Sequence, residues 1–330
     1  MSNTRSNALR RGVALFEAPP LAMLEVKGAD HHEFLHRVLS ADVKRLDIDR
    51  ACPAALLTAK GKVIASLVAL RRPDAMLLLV ERTAQAALRV ALERYVVIDD
   101  VTIVDDPRAI FGLFGPALAT LERIGAQLGA LEPYHCTQVT SPEGDFLAIG
   151  DDRLATPGGF LIGDADRATK LKDRLCQAGA ILLGDDEFEV ARIEAGSPKM
   201  GAELGEEVMV LEAGQRGAVS FDKGCYIGQE PVCRVNSRGQ VMRLLVGLRV
   251  LGDRIPAADE TLRSATKDDA GRITSAVRSA ELDAVIALAY VHRSCAESGT
   301  ELEVEKGGLA RVVDLPHIPV DRRPLVCPSY

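Results

Sequence analysis

The sequence has no Trp, and aromatic residues fill only 4% of its 330 positions. Base-stacking platforms for single-stranded nucleic acid are therefore scarce. It has no excess of positive charge either. Lys and Arg number 40 against 47 Asp and Glu, a formal net charge of −7. A chain of that sign lacks the global field that draws proteins onto nucleic acid or anionic membranes, so neither is expected as a direct partner. No run of 18 or more apolar residues occurs, so no membrane span is predicted. Cysteine is sparse and odd in number: residues 52, 136, 176, 225, 233, 295 and 327. That count excludes a disulfide scaffold. No two cysteines form CxxC, and no His stands at a zinc-finger interval from any of them, so no metal site is expected. His32-Glu33-Phe34-Leu35-His36 has the HExxH spacing of zinc proteases, but no Cys lies near it in sequence and no metal is expected there. Most cysteines sit beside apolar residues, as in Arg174-Leu175-Cys176, and read as buried, reduced thiols. No Walker A or GxGxxG pattern follows a strand, so nucleotide binding has no support. Residues 1–11 are rich in Ser and Arg and free of acids. They read as the polar terminus of a cytoplasmic protein rather than a transit peptide.

What the chain does contain is an ordinary globular composition, 47% hydrophobic and 26% charged, long enough for two or three domains with real cores. Strand-like runs cover 21–26, 54–57, 63–70, 75–80 and 101–104. Phe34, Leu35, Val38 and Leu39 share one face of a helix over 29–43. Thr83 is placed to cap a second helix carrying the stripe Ala87, Leu88, Ala91, Leu92 and Tyr95. A second cycle has strands at 110–114, 146–149, 159–162 and 180–183, a helix opened by Pro116, and another over 165–177. A short helix over 186–195 is expected to be capped by Asp186, with Glu189 at the capping-box position and Gly196 as its stop. Residues 197–240 are dense in Gly and read as irregular. From 241 onward the pattern is strand and turn only. The fold class is α+β, with two ferredoxin-like units (1–107 and 108–240, either of which could be discontinuous) and a C-terminal β-barrel over 241–330.

The most informative segment is Ser220 to Glu230, which contains Lys223-Gly224-Cys225-Tyr226-Ile227-Gly228-Gln229-Glu230. On extended backbone Lys223 and Cys225 project to one side. A nearby ammonium stabilises thiolate and makes a thiol reactive at neutral pH. A buried small Cys in a glycine turn accounts for the same residues, and physics alone leaves both readings open.

KGCYIGQE resembles the signature of YgfZ-type proteins, folate-binding relatives of the glycine-cleavage T-protein (aminomethyltransferase). Arg192-Ile193-Glu194-Ala195-Gly196 is similar to the RxEAG segment that both groups share. Arg234, Arg238-Gly239, the strand Leu245-Val246-Gly247-Leu248, Leu56 to Lys62 and the tail 310–316 extend the resemblance over roughly residues 20–317. It implies a three-domain ring around a central channel for tetrahydrofolate or a one-carbon derivative. It also implies a monomer that serves the assembly or repair of iron–sulfur clusters in client enzymes, including radical enzymes that modify tRNA. Whether that role is enzymatic stays open; a folate-dependent, one-carbon transferase-like activity is the form it would take. The alternative is aminomethyl transfer, as in T-proteins. T-proteins carry an Asp in the strand after the Lys60-Gly61-Lys62 turn, near Ala65-Ser66 here, yet no acid lies between Lys62 and Arg72. The resemblance makes Cys225 and Lys223 the candidate reactive pair. It makes Glu194, Arg192, Arg234, Tyr226 and Gln229 the candidate folate-binding residues. Two departures stand out: Ser40-Ala41-Asp42 lacks the Asn of a TND-like segment, and residues 206–214 replace an expected Pro-rich acidic stretch.

Overall fold

The computed structural model describes residues 8–17, 19–118, 131–239 and 241–318. Its first unit runs β2(Leu21–Lys27), α1(His31–Val38), β3(Ala51–Leu57), β4(Val63–Arg71), β5(Met76–Glu81), α2(Arg82–Glu93) and β6(Thr102–Asp105). These strands form one five-stranded sheet in the order β3-β4-β5-β2-β6. The second sheet has the order β11-β1-β7-β10-β9-β8. It is built from β1(Ala14–Phe16), β7(Ala109–Phe114), β8(Cys136–Ser141), β9(Gly144–Gly150), β10(Gly158–Gly163) and β11(Ile181–Leu183). Helices α3(Ala165–Gln177) and α4(Asp185–Ala195) belong to this half, and α5(Gln229–Arg238) follows later. Strands β12(Arg243–Leu251), β13(Thr261–Ser264), β14(Lys267–Ser279), β15(Ala284–His292), β16(Glu301–Val304) and β17(Leu309–Val313) close into a six-stranded barrel. The α+β class, the two sheet units and the barrel are thus as the sequence implied.

Strand alternation explains the layering. On β4, Val63, Ala65, Leu67 and Ala69 pack with α1 and α2, together with Phe34, Leu35, Leu88 and Leu92. Val68 and Leu70 face the other way. They join Leu21, Met23, Leu77 and Leu79 against Phe16, Phe114, Ile149 and Phe160 of the second sheet. The two sheets therefore pack face to face, and α3 covers the far side of the second through Ala168, Leu171 and Leu175.

Several local expectations need correction. Strand β1 lies at 14–16, yet it sits in the second sheet between β11 and β7. Residues 200–232 pack on the first sheet through Met200, Leu204, Val210, Tyr226 and Val232. Both sheet units are thus discontinuous, because chain order and packing order differ. The glycine-dense stretch contains α5, and the helix over 29–43 breaks after Val38 because Leu39 turns extended. The expected helix from Pro116 falls largely on 119–130, outside the described residues. Gly184 rather than Asp186 begins α4, and the Glu187 carboxylate reaches back to accept from its N–H at 2.9 Å. Gly196 does stop that helix, in the left-handed region at φ 71°.

Candidate functional site

A cavity of about 350 Å³ opens where the apolar face between the two sheets gives out and the barrel begins. Its walls come from all three parts of the fold: Ser66, Val68, Leu79 and Glu81 from the first sheet, Tyr134 and Arg153 from loops of the second, and Leu245 from the barrel. Helix α4 presents Phe188, Glu189, Arg192 and Ala195 to it, a stripe at i, i+1, i+4 and i+7.

Arg192 is buried in a network. It donates through Nε to Glu189 at 2.8 Å, through Nη1 to Glu203 at 3.0 Å, and through Nη2 to Ser275 at 2.8 Å. Ser275 lies where a bulge shifts the β14–β15 register after Ile273. That shift aims its hydroxyl out of the barrel toward α4. Ser275 also donates to Glu203 at 2.6 Å. Lys199 adds a contact to Glu189 at 3.1 Å. The paired cations hold the Glu189 carboxyl below the usual carboxylate range against the opposing effect of burial. Asp151 and Arg153 form a two-pronged pair at 2.8 Å. Asp152 accepts the Tyr134 hydroxyl at 3.1 Å. Glu81 differs: its partner is the backbone N–H of Met200, on Oε1, at 3.0 Å. Burial pushes this carboxyl above its ordinary range, although that hydrogen bond and Arg153, Arg192 and Lys199 pull the other way.

Of the five residues expected to bind folate, Arg192 lines this cavity and the other four do not. Glu194 is two residues on from Arg192 and so lies on another face of α4. Its Oε2 accepts from Arg10 and its Oε1 from Ser279, each at 2.6 Å. Arg234 is an exposed residue of α5, paired with Glu230 one turn earlier. Gln229 opens α5, and Tyr226 is buried in the core of the first unit.

Lys223 and Cys225 also separate. The Lys223 ammonium is buried and donates to the carbonyls of His36, Leu39 and Ala41, all within 2.9 Å. These are carbonyls at and just past the C-terminus of α1, where helices carry unpaired acceptors and partial negative charge. The ammonium lies 5.0 Å from the Tyr226 ring centroid. Burial pulls its pKa down to about 8, with Asp42 and Cys52 opposing. Cys225, by contrast, is exposed. The backbone between the two is bent rather than extended, so they do not share a side. Gly228 then permits close packing. At φ 79° it lies against the 58–62 turn, and a Cβ there would sit 2.4 Å from the Thr58 carbonyl. The Lys60-Gly61-Lys62 turn and the KGCYIGQE segment, far apart in sequence, are neighbours.

The expectation that most cysteines are buried also fails. Among the described six, Cys52 and Cys295 are buried, Cys136 and Cys233 half-buried, and Cys176 and Cys225 exposed. On α3 the buried stripe is Ala168, Leu171 and Leu175, which leaves Cys176 outside it.

The position of Ser66, marked in the sequence by the missing T-protein Asp, does line the cavity, whereas Glu81 and Glu189 were missed as cavity residues. Glu189 was legible, since it stands one helical turn before Arg192. Glu81 was not, because its place depends on strand register.

Comparison with known proteins gives concordant results. The family model described as GCVT N-terminal domain matches residues 2–223, and the glycine cleavage T-protein C-terminal barrel domain matches residues 243–318. A tRNA-modifying protein YgfZ from Klebsiella pneumoniae is 30% identical over 284 residues, covering 84% of each chain. An aminomethyltransferase from Rubrobacter xylanophilus is 29% identical over 315 residues, covering 94% of this chain and 84% of its own. In structure, aminomethyltransferase T of the Bartonella henselae glycine cleavage system superposes with a TM-score of 0.88. It does so at 20% identity, over 96% of this chain and 89% of that one.

Proposed function

The chain belongs to the glycine cleavage T-protein family as a YgfZ-type member, and from that membership we propose that it binds a reduced folate in the three-sided cavity. We propose further that it uses the bound folate to support assembly or repair of iron–sulfur clusters in client enzymes, tRNA-modifying radical enzymes among them. The observation that carries this reading is a pairing of features. A partly open cavity with ligand-sized volume accompanies an exposed thiol in the KGCYIGQE segment. Cavities that hold small ligands run to about 300–1,000 Å³, and this one falls in that range.

The lining fits a pterin. Leu79, Val68 and Phe188 offer apolar surface to a flat ring, and Glu81 offers a carboxyl oxygen to ring N–H groups. Arg192 and Lys199 hold Glu189 at the rim of the same space. A bound tetrahydrofolate would supply one-carbon chemistry. The chain's own part is to bind it, to exclude water between the sheets, and to present Cys225 from the loop packed on the 58–62 turn. Lys223 acts in this reading as a positioning residue that fixes the loop to α1. The cluster belongs to the client. Among the described residues, no group of three or more His, Cys, Asp or Glu is arranged to hold a metal ion. No described helix is long and apolar enough to cross a membrane.

Calorimetry with tetrahydrofolate, folate and an unrelated pteridine tests the first step. Selective binding of tetrahydrofolate is expected; equal or absent binding of all three overturns it. For the second step, Cys225→Ser is expected to fold and to bind tetrahydrofolate, yet fail to restore an iron–sulfur enzyme in cells lacking this protein. Full restoration removes the thiol from the mechanism.

A second reading, aminomethyl transfer to tetrahydrofolate, draws on the relative named aminomethyltransferase. Against it stands Ser66 in the cavity wall, which has no charge to steady a developing cation. Turnover with an aminomethylated lipoyl carrier protein would establish it over the first.

A further inference from the structure

Among the described residues that line the cavity, one carboxyl has incomplete bonding. Glu189 is tied to Arg192 and Lys199, Asp151 to Arg153, and Asp152 to the Tyr134 hydroxyl. Glu81 accepts one backbone N–H, from Met200 to Oε1, and Arg153, Arg192 and Lys199 act on it only at longer range. A carboxylate has about four acceptor positions, so most of its capacity is unspent. The strand ladder sets its place. Leu67 pairs with Val80 across β4 and β5, so the next rung sets Ser66 opposite Glu81. Neighbours on a rung point to the same face of a sheet. Both residues line the cavity, beyond the apolar rungs of Val68 and Leu79. Ser66 and Glu81 are thus the polar end of an otherwise apolar wall.

We infer that Glu81 is the ligand-facing carboxyl of the cavity, held through one oxygen by the Met200 N–H and presenting the other to N–H donors of the bound ligand. This rests on the reduced-folate reading given above and deepens it by naming the group that meets the ring. The proton balance follows. In the free protein, burial favours the neutral acid. Donors on the ligand favour the carboxylate, so binding expels a proton from Glu81 to solvent, and no other bond changes. Three cations act on Glu81 at longer range, namely Arg153, Arg192 and Lys199.

The test is calorimetry of the full chain with 5-formyltetrahydrofolate in two buffers of different ionisation enthalpy, at pH 5, 6 and 7. Wild type is expected to release a fraction of a proton at the lower pH values and to bind more tightly as pH rises. Glu81→Gln is expected to lose roughly tenfold or more in affinity, the loss expected when a charged acceptor of buried donors is replaced. It should also release no proton and show a flat pH profile. Glu81→Asp should keep the proton release with weaker binding. Far-ultraviolet circular dichroism and melting establish that each variant is folded. Wild-type binding that Glu81→Gln leaves unchanged in affinity and proton count overturns this inference and spares the folate reading. Absence of wild-type binding overturns both.

Discussion

At Lys223 a charged side chain is spent entirely on backbone: three carbonyls at the end of α1 enclose its ammonium. Its removal leaves those acceptors without their donor. Lys223→Met should therefore destabilise the protein by about 1–3 kcal/mol, measured by urea denaturation. Because the ammonium is turned away from the exposed thiol, the same variant should not slow alkylation of Cys225. A clear slowing would restore the electrostatic role that the spacing of the two residues suggested. Competition among the cysteines gives a second check. Burial pushes the Cys136 thiol up to about 11 and raises that of Cys176 as well. Brief alkylation at pH 7 followed by peptide mapping should label Cys225 ahead of both. Glu81 supplies a stability test that needs no ligand. Its folded-state pKa is raised above its unfolded value. The folded protein thus holds its proton more tightly than the unfolded chain does, and stability falls as pH rises between the two values. Glu81→Gln abolishes that loss. It should melt higher than wild type at pH 7, and the gap should close as pH drops toward 4.5 and below.

The elements were legible wherever one period governed them. The strands on either side of the Lys60-Gly61-Lys62 turn, the helix stripe at Leu88, Ala91 and Leu92, and the barrel strands all follow local alternation. Elements whose existence depends on distant partners were not. Strand β1 has three residues and needs β11 and β7 on either side of it. Helix α5 has a mixed sequence, and it is anchored by Val232 against the first unit. The site divides in the same way. The KGCYIGQE thiol could be found in one window of sequence, and Arg192 by its neighbours on α4. Glu81 is an acid across the ladder from a Ser, invisible to a search along β4 alone. Gly228 joins two such windows, since it brings the thiol segment onto the 58–62 turn at φ 79°. Gly228→Ala places a methyl 2.4 Å from the Thr58 carbonyl in a conformation that L side chains rarely adopt. The expected loss is about 1–3 kcal/mol. Cys225 should at the same time become less selectively labelled, because the loop that presents it has moved. Unchanged melting and unchanged labelling would mean that the two segments do not depend on each other.

On the scale of the whole molecule, the three parts meet through a few buried charges as well as through apolar faces. Glu194 is the clearest case. Its carboxylate accepts from Arg10, in the helical turn at 8–11, and from Ser279 at the end of β14 in the barrel. Arg10 also donates to the carbonyls of Leu154 and Ala155 in the second unit. Beside these contacts, Ile193 of the same helix packs against Ile286 and Leu288 on the outside of the barrel. Glu194 thus joins the N-terminal segment, α4 and the barrel around one side chain, with its back to the cavity. Removing one partner of a buried ion pair strands the other, at about 3–5 kcal/mol. Glu194→Ala should therefore lower stability by about that amount, and Arg10→Ala should lower it comparably. The double variant should lose much less than the sum, because the two changes remove the same interaction. Tetrahydrofolate affinity, measured well below the melting temperature, should stay within about twofold of wild type, since no ligand contact is lost. The opposite pattern, intact stability with a tenfold loss of affinity, would return Glu194 to the pterin edge. It would mean that Arg10 and Ser279 release the carboxylate when folate enters.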